Sequence, residues 1–155
     1  MIPSFSYATG QSAPTLLFLA VLLLVVFIGE RRSGRIPDWM TFITFAAALV
    51  RSCALVRSPV TIAAAALVGL TPLCARAATR AALGWGDVKL GISLALLLGP
   101  VSGAVALLLA GALALCGVAF GALVDPGSSY EAGFPFGPYL VAGAILALPL
   151  EALHA

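Results

Sequence analysis

The stretch Gly84-Trp85-Gly86-Asp87-Val88-Lys89-Leu90 sets a carboxylate between two glycines and a strongly apolar run, Leu90 to Leu98. In lipid, an ionisable side chain so placed is costly and marks a functional site by default. The glycines before it let another backbone approach closely, because neither has a side chain in the way. Composition decides that the surroundings are lipid. Of the 155 residues, 62% are hydrophobic and 9% charged, and the mean hydropathy is +1.14. A soluble domain carries about 25% charged residues, so the chain reads as an integral membrane protein. Its length fits one domain, residues 1–155. A net charge of +2 is too small for a nucleic-acid footprint.

Outward from that stretch, six apolar segments follow one another: about Pro14 to Gly29, Asp38 to Val56, Pro59 to Cys74, the Gly-x-Gly-Asp region to Gly99, Val101 to Val124, and Phe134 to Leu150. A bilayer core of about 30 Å takes roughly 20 apolar residues of helix. The expected fold is therefore all-α, a polytopic bundle of six transmembrane helices. Asp38, after Pro37, is placed as the N-cap of the second helix. The fifth segment is rich in Gly and Ala, which permits close helix packing. Met1 to Pro14 lacks the positive n-region of a cleavable signal, and Glu30-Arg31-Arg32 follows the first apolar run, so that run is expected to be a retained span. From Asp87 to Gly99 is 13 residues, only about 20 Å of helix. A full crossing from that stretch predicts a helix starting nearer Arg80, or a thin bilayer there.

Orientation follows from the basic residues. Arg31, Arg32, Arg35, Arg76, Arg80 and Lys89 fall on one side of the six segments, against Arg57 and Arg51 on the other. Arg51, inside the second segment, is expected to snorkel outward. The positive-inside rule then makes the six-residue side cytoplasmic and puts both termini outside. Glu30, Asp38, Asp87, Asp125 and Glu131 gather at the cytoplasmic face, with Glu151 and His154 opposite. The arginines read mainly as topology determinants that also hold anionic lipid headgroups. Lys89 can snorkel to the headgroups, and Trp39 and Trp85 sit at interfaces. Cys53, Cys74 and Cys116 form no Cys-x-x-Cys pair and read as small packing residues. His154 has no partner to act with.

Amide hydrolysis without a metal or a nucleophilic side chain needs two carboxyl groups sharing a proton. One takes a proton from water and the other, protonated, polarises the carbonyl; two like charges so close cannot both ionise. Asp87 is the first member on position, although a helix-start aspartate would occupy the same place in the sequence.

Gly-x-Gly-Asp followed by Lys-Leu resembles the type IV prepilin peptidases, a class of intramembrane aspartyl protease. Glu30-Arg31-Arg32-Ser33-Gly34-Arg35-Ile36-Pro37-Asp38 resembles the family's first motif: an acidic residue, a basic stretch, then Ile/Leu-Pro-Asp/Asn. Phe134-Pro135-Phe136-Gly137-Pro138-Tyr139-Leu140 resembles its segment near the last span. These three stretches stand in the family's order and spacing. The resemblance implies Asp87 and Glu30 as catalytic acids, with Glu30 where the family has aspartate. Asp38, whose family counterpart accepts Asn, is the alternative partner. Gly84, Gly86, Lys89, Asp38, Pro135 and Gly137 are implied as substrate-binding or supporting residues. No cofactor is implied. The implied substrate is a prepilin or pseudopilin with a short hydrophilic leader, cut at the cytoplasmic face of the bacterial inner membrane. The absence of an extra cysteine-bearing loop points to the short, peptidase-only form associated with tight-adherence (Flp) pili. A catalytically silent homologue serving as a membrane scaffold is the alternative, and a small transporter is weaker still.

Overall fold

The computed structural model describes residues 5–33, 36–54, 58–78, 83–124 and 136–154. Among them there is no strand. The helices are α1 (Phe5–Ser33), α2 (Asp38–Ala54), α3 (Pro59–Gly69), α4 (Thr71–Ala78), α5 (Trp85–Leu98), α6 (Pro100–Val124) and α7 (Gly137–His154). They occupy the six apolar segments in order, the third being shared by α3 and α4. These two run on almost without a break. Leu70 between them keeps a helical backbone, and its N–H donates to Ala66 O at 3.1 Å. Pro72 has no N–H to give to Val68 O, and the Thr71 hydroxyl takes that acceptor instead, at 2.8 Å.

Two stretches are long and apolar enough to cross a membrane, Pro59–Ala77 and Pro100–Gly121; Pro14–Glu30 and Gly137–Pro149 are apolar but shorter. The outer faces carry the same message. Leu17 is 68% exposed, Phe42 71%, Val60 78%, Leu108 74% and Leu115 73%, on four different helices. Water would penalise that much outward apolar surface; hydrocarbon does not.

The centre is α5, which packs against α2, α3, α4, α6 and α7. Every residue from Asp87 to Leu98 is buried except Lys89 and Ile92. A helix apolar all round is a buried helix, and this one also begins later than its short apolar run suggested. Gly84 is extended (φ −66°, ψ 150°) and caps a helix that starts at Trp85, not near Arg80. Its 14 residues make about 21 Å. The far end is fixed by Gly99 at φ 88°, a left-handed conformation open to glycine. Pro100 then opens α6, at the position where a missing N–H is harmless.

Around this hub, α1 packs along α7 and α7 along α6. The last contact is very close: a Cβ on Gly143 would press on Ala106 O and lie 2.8 Å from Ala110 N. Two expectations are corrected. Cys53, Cys74 and Cys116 are exposed on outer helix faces and are not packing residues. Arg51 turns inward to α1, donating from Nη1 to Thr15 Oγ1 at 2.7 Å, because a guanidinium beside a hydroxyl within the bundle is better satisfied there than in hydrocarbon. Pro135, Arg35, Arg57, Arg80, Asp125 and Glu131 lie outside the described residues.

Candidate active site

Asp87 stands in the first turn of α5, where the first N–H groups of a helix have no partner within it. The N–H of Gly84 donates to its Oδ2 at 3.2 Å, which is one half of a capping box. The helix-start role is therefore real, but it engages only one oxygen. Oδ1 is buried with no hydrogen-bond partner, in a residue that is 7% exposed. Burying a carboxylate oxygen unpaired is expensive, so this atom is the first sign of a site built for something else.

Glu30 repeats the arrangement on another helix. It lies near the C-terminal end of α1, and the N–H of Gly137, first residue of α7, donates to its Oε1 at 3.3 Å. Its Oε2 is likewise buried without a partner. Each acid thus has one oxygen held at the start of a helix, where the dipole favours negative charge, and one left over. The two carboxyl groups are close enough for their charges to act on each other directly.

Ile36 packs against the glycine beside each acid. A Cβ on Gly86 would come within 3.0 Å of Ile36 Cβ, and one on Gly137 within 2.8 Å of both Ile36 Cδ1 and Glu30 Oε1. Both glycines are therefore needed for close approach: side chains there would push the two acid-bearing segments apart. A Cβ on Gly84 would lie 3.1 Å from Asp87 Oδ2. Ile36 belongs to the site although sequence reasoning gave it no role there. Its place in the Ile36-Pro37-Asp38 run was the available signal.

Asp38 is not brought into the pair. Helix α2 begins at Asp38 itself, with Met40 N–H donating to Pro37 O at 3.1 Å, so Asp38 is its first residue and not its N-cap. Its carboxylate meets Lys89 Nζ at 2.6 Å, with both side chains exposed. Lys89 therefore ties α5 to α2 beside the site. Arg76, read earlier as a topology residue, sits with its guanidinium 4.6 Å from the centre of the Trp85 ring and donates to Leu83 O. Among the described residues no group of His, Cys, Asp and Glu is arranged to hold a metal ion.

Two carboxyl groups, each with a buried spare oxygen, can hold a water molecule, which needs two to four polar partners in such a place. That arrangement, on an all-helical, outwardly apolar scaffold, is one that aspartic-type peptidase chemistry can use. The type IV leader peptidase family model matches residues 17–122, more than half of the chain, and the chain belongs to that family. Prepilins are the general substrates of this integral membrane family. Neither a curated protein nor a solved structure gives a significant match. The family match stops before α7, so the hydrogen bond from Gly137 to Glu30 comes from outside it.

Proposed function

We propose that this protein is an intramembrane aspartyl endopeptidase that removes the leader of a prepilin or pseudopilin at the cytoplasmic face of the bacterial inner membrane. The observation that carries this reading is the convergence of Glu30 and Asp87, from α1 and α5, with one buried unpartnered oxygen each. Water sits between those oxygens. The ionised acid takes a proton from it as its oxygen attacks the scissile carbonyl carbon. The protonated acid gives its proton to the carbonyl oxygen, so a neutral tetrahedral diol forms. Collapse of the diol breaks the C–N bond: the proton held by the first acid goes to the leaving amine, and the second acid takes a proton back from a diol hydroxyl as the carbonyl re-forms. Gly84 leaves room for the Asp87 carboxylate and Gly86 for Ile36, so both glycines support the site by close packing. Lys89 and Asp38 border the entrance.

The fold in this reading is one domain of six crossings: α1, α2, α3 with α4, α5, α6 and α7. Both termini are outside, by the distribution of basic residues. The short central helix is accommodated by burial among its neighbours, which lets Asp87 lie below the membrane surface. The contacts around the bundle are with membrane lipids.

Co-expression with a precursor pilin tests the reading. Wild type yields the shortened product, and Asp87→Ala and Glu30→Ala abolish it. Processing that survives Asp87→Ala overturns the mechanism. Glu30, where the family carries aspartate, motivates a second reading, a silent homologue that binds prepilin without cutting it. Wild-type protein that co-purifies with uncut precursor favours that reading.

A further inference from the structure

We infer that Arg76 is a positioning residue for Asp87, acting through the turn that caps α5. This rests on Asp87 being one of the two acids.

Gly84 is the pivot. Its N–H holds Asp87 Oδ2, so wherever Gly84 sits, the carboxylate follows. Yet glycine has the freest backbone of any residue, and the segment before it is not helical: Leu83 is a bend and Gly84 is extended. The turn's own fixings are the two capping bonds, from Gly84 N–H to Asp87 Oδ2 and from Val88 N–H to Gly84 O. Arg76, in the last turn of α4, fixes it on both flanks. An edge N–H of the guanidinium donates to the carbonyl of Leu83, the residue before Gly84. The face of the same group lies 4.6 Å from the ring centre of Trp85, the residue after it. Only a planar, forked cation can bond by its edge and stack by its face at once; a lysine ammonium does one or the other.

Trp85 itself is 58% exposed, so its ring is poorly explained as core packing. As the platform for Arg76 it has a use. Helix α4 packs against α5, which gives the arginine a firm base from which to act. The chain of contacts runs Arg76 to Leu83 and Trp85, then Gly84, then Asp87.

The test measures kcat and KM for cleavage of a purified precursor pilin in proteoliposomes by wild type, Arg76→Lys, Trp85→Leu, Trp85→Phe and Asp87→Ala. Loosening the turn misplaces a reacting group by about 1 Å, which lowers kcat on the order of a hundredfold. Arg76→Lys and Trp85→Leu each show that loss with KM within about threefold of wild type, the signature of an interaction felt in the transition state. Trp85→Phe keeps a ring face and stays within about tenfold of wild type. The double variant Arg76→Lys/Trp85→Leu is no slower than the worse single one, since both break one device. Wild-type kcat in either Arg76→Lys or Trp85→Leu overturns the inference, as does a loss confined to KM or to the yield of inserted protein. Asp87→Ala separates the two levels: if it remains active, the underlying protease reading fails instead.

Discussion

Ile36 packs directly on the backbone at Gly86, so closely that a Cβ there would come within 3.0 Å of the Ile36 Cβ and 3.5 Å of its carbonyl oxygen. The segment that follows Glu30 therefore rests on the residue just before Asp87. This contact bears on the separation of the two acids, and the Asp38–Lys89 ion pair lies beside it.

Gly86→Ala is expected to lower prepilin processing on the order of a hundredfold, because the displaced segment shifts a reacting group by about 1 Å. The beta carbon of Ile36 is bonded to the backbone and cannot swing aside. Gly137→Ala is expected to be worse, since its Cβ would lie 2.8 Å from Glu30 Oε1 itself. Initial rates on the purified variants, with helix content by circular dichroism as the control, check both.

The Glu30 series reads the reach of the longer side chain. Glu30→Gln keeps the size and loses the acid, and is expected to abolish cleavage. Glu30→Asp withdraws the carboxyl by one methylene and breaks the 3.3 Å contact with Gly137 N–H. Cleavage should fall on the order of a hundredfold without vanishing. Full activity in Glu30→Asp would mean that the tether to α7 has no part in positioning the acid.

Asp38 gives the opposite expectation. It is exposed and paired with Lys89, and exposed ion pairs contribute roughly 0–1 kcal/mol. Asp38→Asn is expected to leave stability within about 1 kcal/mol and cleavage within about tenfold of wild type. Loss on the scale of Asp87→Ala would transfer the partner role from Glu30 to Asp38.

Gly143 offers a stability test away from the acids. A methyl group there would press on the backbone of α6 at Ala106 and Ala110, and overpacking of this kind costs about 1–3 kcal/mol. Gly143→Ala is expected to unfold at lower temperature or denaturant in detergent. An unchanged transition would show that α6 and α7 can separate without loss.

How much of this was legible in the chain depended on whether the signal was local. The helices and their order followed from runs of apolar residues bounded by Pro, Gly and Arg. Asp87 followed from its glycines. The start of α5 did not, because length arithmetic assumes that each helix reaches both surfaces, whereas α5 is enclosed by five others. Cysteine orientation was also hidden, since in lipid both the inward and the outward faces of a helix are apolar. The bond between Glu30 and Gly137 joins residues 107 apart, and the ion pair of Asp38 with Lys89 joins residues 51 apart. No periodicity encodes such pairings; they appear only when helices are packed.

That long-range bond bears on biogenesis. Both acids are translated by residue 87, but the amide that secures Glu30 belongs to α7, which is made after both of them. A nascent chain stalled before residue 137 would hold every acid of the pair and still lack the clasp on one of them. Synthesis order itself thus delays the clasp on Glu30 until α7 has been made.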